Sequence, residues 1–116
     1  MSDKAAVSLL TIDVDRSGSV PVVRCRGRLV AGLNDRLYAE VRGLIPGTKR
    51  IVLDFTDLVR MDSTGLGTLV RLYVSAKSAG CTLELRNVGP PIRQLLQITQ
   101  LWSAFTIVGE NNIKLG

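Results

Sequence analysis

The amino-acid sequence predicts one α/β domain with a mostly parallel sheet, an N-terminal antiparallel hairpin and packed helices. Three observations predict the α/β class. Near the N-terminus, two runs of alternating apolar and polar residues are joined by a short glycine-bearing loop. Beyond them, strand-like apolar runs alternate with segments of helical period. The chain has 116 residues, the size of one domain spanning 1–116, and 46% are hydrophobic. That is enough to bury a core without disulfide or metal support.

The elements follow in order. Between about Val7 and Val14, Leu10, Ile12 and Val14 share one face, with Leu9, Thr11 and Asp13 on the other. Asp15-Arg16-Ser17-Gly18-Ser19 makes a turn. Val20 to Gly27 alternates again, with Val23 and Cys25 opposite Arg24 and Arg26. Pro21 has no N–H to give a ladder, so it belongs at a strand start or on an edge. A helix follows, capped by Asn34 or Asp35, with Leu37, Tyr38, Val41, Leu44 and Ile45 as its apolar stripe. Pro46-Gly47 ends it.

The run Ile51-Val52-Leu53 is continuously apolar, as in a strand buried on both faces. The second helix opens at Asp62 or Ser63 and carries Leu66, Leu69, Val70, Tyr73 and Ala76 on one side, until Gly80 stops it. Cys81 to Arg86 alternates as a strand. Pro90-Pro91 starts a third helix with the stripe Ile92, Leu95, Leu96 and Thr99. Leu101-Trp102 and a short strand from Phe105 to Val108 complete the order, with Trp102 read as a core anchor. Parallel strands bridged by helices take right-handed crossovers. Leu53, Leu69, Tyr73, Leu83 and Leu95 are expected in one cluster.

Composition excludes much chemistry. There is no histidine, which removes Ser-His-Asp and Cys-His nucleophile systems and most zinc sites. Cys25 and Cys81 match no metal or redox spacing and read as small buried residues. The chain is not expected to be an enzyme and needs no cofactor or metal. Met1 to Leu10 is too short and too soon followed by Asp13 and Asp15 for a signal peptide, and no run approaches the ~20 apolar residues of a membrane span. A cytoplasmic protein with reduced thiols and no membrane insertion is expected. The net charge of +5 would suit an acidic protein partner. With aromatics at only 4% and no nucleic-acid-binding signature, no nucleic-acid partner is expected.

The most informative run is Asp62-Ser63-Thr64-Gly65-Leu66-Gly67, where a strand hands over to a helix. A helix N-terminus has unpaired N–H groups and tolerates added negative charge. Two readings stay open for these residues. In one, Asp62 or Ser63 simply caps the helix. In the other, Ser63 (or Thr64 beside it) is a phosphorylation switch on a surface that a partner approaches closely, which the glycines would permit. Each glycine costs roughly 1 kcal/mol of helix propensity relative to alanine. Neither a phosphate-binding loop nor a nucleophile elbow is present. Arg24, Arg26 and Arg28 fall at period two, either as a solvated strand face or as a docking stripe for an acidic partner or a phosphate.

The run from Leu53 to Gly67, Leu-Asp-Phe-Thr-Asp-Leu-Val-Arg-Met-Asp-Ser-Thr-Gly-Leu-Gly, resembles the signature of the anti-sigma-factor antagonists, the bacterial branch of the STAS domain. The resemblance extends to the hairpin ending in Gly27, the helix after it, and Ile92-Arg93-Gln94-Leu95-Leu96 with Leu101 and Phe105. It implies a STAS fold and a protein-binding switch in transcription control. The partner would be an anti-sigma factor serine kinase that phosphorylates the serine corresponding to Ser63, and a serine phosphatase would reverse the mark. Asp62 to Gly67 would meet the partner, and on the docking-stripe reading Arg24, Arg26 and Arg28 would meet it as well. The family also includes subunits of lipid-transport or stress-signalling complexes and nucleotide-binding modules, in which that serine need not be modified. Three features differ from the family pattern. Arg28 and Val30 stand where acidic residues usually follow the glycine, the chain is basic, and Glu110 to Gly116 is shorter than the usual C-terminal helix.

Overall fold

The computed structural model describes residues 9–109. Strands β1 (Leu10–Asp15) and β2 (Val22–Leu29) form the hairpin, followed by helix α1 (Asn34–Leu44) and strand β3 (Arg50–Met61). Helix α2 (Ser63–Ser78), strand β4 (Thr82–Arg86), helix α3 (Pro90–Ile98) and strand β5 (Thr106–Val108) complete it. The sheet order is β1-β2-β3-β4-β5. Among the described residues only β1 and β2 pair antiparallel, and every later neighbour is parallel. This is the predicted architecture in the predicted order. The ends Met1 to Ser8 and Glu110 to Gly116, and with them the expected strand start at Val7 and the comparison of the C-terminal segment with the family's usual helix, lie outside the described residues.

Alternation decides which strand residues face the helices. Val23, Cys25 and Leu29 of β2, Ile51, Leu53, Phe55 and Leu58 of β3, and Leu83 and Leu85 of β4 point into one apolar cluster. There they meet Leu37 and Val41 of α1, Leu69 and Leu72 of α2, and Ile92 and Leu96 of α3. Of the five expected core residues, Leu53, Leu69 and Leu83 are buried, while Tyr73 and Leu95 are half-buried and pack against the cluster. Tyr73 closes one edge with Phe105, ring centroids 5.2 Å apart at 62°. Trp102 is likewise half-buried, with the Arg93 guanidinium 5.0 Å from its ring centroid.

The structure corrects four expectations. β2 runs past Gly27 to Leu29, and β3 runs past the apolar run Ile51-Val52-Leu53 to Met61. The two strands keep in step through bulges: Arg24 faces Asp54 but Arg26 faces Asp57, and Gly27 faces Leu58 but Arg28 faces Arg60. Each step inserts an extra β3 residue, which hides β3 from a simple period-two reading. Gly27 has φ +98°, which suits glycine at the second bulge. Asn34 and Asp35 do not cap α1: the cap position is Leu33 and no side chain bonds there. Asn34 is instead buried and turned toward α2, where it finds better partners. Thr99 lies just beyond α3, its hydroxyl donating to the Leu95 carbonyl at 2.8 Å. Glu84 is buried on β4, where Arg50 grips both its carboxylate oxygens.

Candidate functional site

The site forms where β2 and β3 end side by side and α2 begins. Asp62 is the N-cap of α2 in extended conformation, φ −106° and ψ −173°. Its Oδ1 accepts from the Thr64 amide at 3.0 Å, the Gly65 amide at 2.9 Å and the Thr64 hydroxyl at 2.6 Å. Its Oδ2 accepts from the Ala31 amide at 3.0 Å, in the loop between β2 and α1. One carboxylate thus ties two loops together. The Thr64 hydroxyl, then the Gly65 and Ala31 amides, favour the charged form and hold its pKa down at about 2.

Gly65 and Gly67 have different reasons to be glycine. A Cβ at Gly65 would lie 2.1 Å from the Leu29 carbonyl oxygen, so β2 itself takes the space. A Cβ at Gly67 would meet nothing within 4 Å. Close approach at Gly65 is therefore internal, and only Gly67 leaves an open surface. Gly65 and Leu66 are buried. They shape the surface that Ser63, Thr64 and Gly67 present.

Ser63 is the first helical residue and is exposed. Among the described residues its hydroxyl makes no hydrogen bond, whereas the neighbouring Thr64 hydroxyl is committed to Asp62. Beneath them, Asn34 Nδ2 donates to the Thr64 carbonyl at 2.9 Å and to Thr68 Oγ1 at 2.8 Å. Arg71 donates to the same Thr68 oxygen at 3.4 Å and stacks on Tyr38, its guanidinium carbon 4.4 Å from the ring centroid. Arg42 donates to the Tyr38 hydroxyl at 2.8 Å. This seam fixes α1 against the first turns of α2. Sequence reasoning missed it because Asn34 and Thr68 look like ordinary cap and helix-surface residues.

The arginine stripe divides. Arg24 Nη1 lies 3.5 Å from Asp15 Oδ2, and Arg26 Nε lies 3.7 Å from Asp57 Oδ2. Both are on the face opposite Val23 and Cys25, Arg24 half-buried and Arg26 exposed. Arg28 is exposed and stands in register with Arg60. Among the described residues, neither of these two has a carboxylate partner.

Neither cysteine offers a nucleophile. Cys25 is buried and its thiol is pushed up to about 12, by burial first and by Asp54 second. Burial also raises Cys81. Among the described residues no three of Cys, Asp and Glu gather as a metal site, and no helix is long and apolar enough to cross a membrane.

The family model for the STAS domain matches residues 11–111. The chain belongs to the STAS family. It is 28% identical over 100 residues to an anti-sigma F factor antagonist from Paenibacillus polymyxa, covering 84% of this chain and 86% of that relative. Among solved structures, the anti-sigma factor antagonist SpoIIAA in its unphosphorylated form matches with a TM-score of 0.74 at 20% identity, covering 87% of this chain and 90% of that one. The Bacillus cell fate determinant SpoIIAA in its phosphorylated form matches at 0.69 and 20%, covering 87% and 94%. These structures share the STAS fold described above.

Proposed function

We propose that this STAS protein is an anti-sigma-factor antagonist, a non-enzymatic binding module switched by phosphorylation of Ser63. One observation carries the reading. At the start of α2, Ser63 is exposed with an uncommitted hydroxyl, beside a cap that is already complete without it. Asp62 satisfies the first amides, so a modified Ser63 leaves the helix start standing. A phosphate adds about −1.5 to −2 charges there, where the helix dipole favours anions. The fold is kept and the contact surface changes sign. An anion forced into a partner's desolvated contact costs several kcal/mol, enough to dissociate a modest complex.

The partner in this reading is an anti-sigma factor with serine-kinase activity, and a serine phosphatase resets the switch. The relative from Paenibacillus polymyxa and the fold shared with SpoIIAA, solved in both phosphorylation states, support it. The test incubates the protein with purified anti-sigma kinases from its source and ATP, then maps the modified residue. Phosphate on Ser63 and not on Thr64 is expected. Ser63→Ala should bind the kinase like wild type and escape modification, while Ser63→Asp should bind at least about tenfold more weakly. Equal binding by all three forms, with no phosphate on either residue, would refute the switch.

A further inference from the structure

We propose that Arg28, Val59 and Arg60 form a docking patch for a carboxylate-bearing segment of the protein partner. The identity of that partner rests on the antagonist reading above; the chemistry of the patch does not. Its geometry comes from the second bulge, which brings Arg28 and Arg60 opposite one another with Val59 as the inserted residue. Adjacent strands lie about 4.8 Å apart, so the two cations stand side by side on one face. Like charges facing each other across a strand pair are destabilising. Arg24 and Arg26 on the same strand each have an aspartate, and this pair has none among the described residues.

Val59 is 65% exposed, an apolar side chain next in sequence to Arg60. Two guanidinium forks beside an apolar side chain match an acidic segment with an aliphatic contact of its own. Guanidinium takes carboxylate in bidentate fashion, and Val59 gives free phosphate nothing to hold. Arg60 is followed by Met61, Asp62 and Ser63, so a partner seated on the start of α2 also covers this end of β2 and β3. An acidic partner also sharpens the switch, because a phosphate on Ser63 would repel the carboxylates that the arginines attract.

The experiment titrates isotope-labelled full-length protein with a hexaglutamate peptide at low ionic strength and follows the amide resonances. Shifts confined to residues 28–30 and 58–62 are expected. The double variant Arg28→Ser/Arg60→Ser should weaken binding about tenfold, while Arg24→Ser/Arg26→Ser stays within about threefold. Arg26, Arg28 and Arg60 are exposed and Arg24 is half-buried, with none of the four in the core, so both variants keep the fold, which their own amide spectra verify. Equal weakening in the two variants would overturn the proposal in favour of diffuse basic attraction. Equal shifts with inorganic phosphate at matched concentration would overturn it in favour of a free-anion site. Concentration-dependent self-association abolished by Arg60→Glu would put a second copy of the chain there instead. No anti-sigma factor enters this titration, so its failure leaves the Ser63 switch standing, and loss of the switch leaves the patch testable.

Discussion

The two ends of the parallel strands handle charge in opposite ways. At the amino end of β3, Arg50 closes on the buried Glu84, and hydrogen bonding to that carboxylate raises the arginine's own pKa. The two charges are paired, with the carboxylate buried and the guanidinium already engaged although its side chain is 54% exposed. At the carboxyl end, Asp62 is also saturated, but by amides and a hydroxyl rather than by a cation. The nearby cations Arg28 and Arg60 are left without acids, and Ser63 is left without a bond, among the described residues. The difference teaches where to look for function. Structural rigidity at the carboxyl end comes from neutral donors, so the charges there remain available to a partner.

The sharpest way to break this contrast is through the two glycines of α2. Gly65→Ala drives a methyl into the Leu29 carbonyl and must part α2 from β2. A loss of about 3 kcal/mol is expected, the upper end for overpacking. Gly67→Ala meets open space and should gain up to about 1 kcal/mol from helix propensity. Urea unfolding of both variants decides it. A wild-type midpoint for Gly65→Ala would mean that α2 can move off β2 at little cost. If Gly67→Ala is stable yet binds the partner several-fold more weakly, its hydrogen marks the line of approach.

That pair also marks what the sequence could and could not reveal. The apolar stripes, the hairpin and the helix start at Asp62-Ser63 were legible because each is local, a period or a cap within a few residues. The separate duties of Gly65 and Gly67 were not, since the difference lies in Leu29, far away in the chain. Asn34 was misread for a related reason. An asparagine before a helical stripe suits a cap, but its amide also suits the Thr64 carbonyl and the Thr68 hydroxyl, and only packing chooses between them. Arg60 and Val59 were invisible as a patch because their place beside Arg28 depends on a bulge register that alternation cannot supply.

A smaller effect tests whether neutral donors really hold the carboxyl end. The Asp62 pKa is lowered from 3.8 to about 2, so its folded form is the charged one. A depressed carboxylate stabilises the fold fully above its ordinary value. That contribution is lost as pH falls through 3.8 toward about 2. Asp62→Asn keeps a cap oxygen but loses the charge at the helix start, so it should cost less than about 1 kcal/mol at neutral pH and flatten the acid limb of the stability curve. Asp15 is lowered too, chiefly by the Ser17 hydroxyl, so Asp15→Asn is the matched control on an exposed turn. Urea midpoints from pH 6 down to about 2 give the readout. An unchanged acid limb in Asp62→Asn would transfer the stapling to the backbone bonds alone, such as Asp62 N–H to the Leu29 carbonyl at 3.3 Å.

The smallest expected effect separates the paired arginines from the unpaired ones by stability alone, without any partner. The Arg24–Asp15 and Arg26–Asp57 contacts are long and solvent-exposed, at 3.5 and 3.7 Å. Removing either arginine should cost less than about 1 kcal/mol, and the loss should disappear in concentrated salt. Arg60→Ser should do the reverse. It removes a like charge facing Arg28, so the variant should equal wild type or exceed it by a few tenths of a kcal/mol at low salt, about the size of cross-strand charge effects. Thermal unfolding at low and high salt measures both signs in one series. If Arg60→Ser is as destabilising as Arg24→Ser, then Arg60 has an intramolecular role and the carboxyl end is no more open than the amino end. If its removal is neutral while partner binding falls, the repulsion between Arg28 and Arg60 is tolerated in the free protein and relieved only when an acid from outside fills the gap.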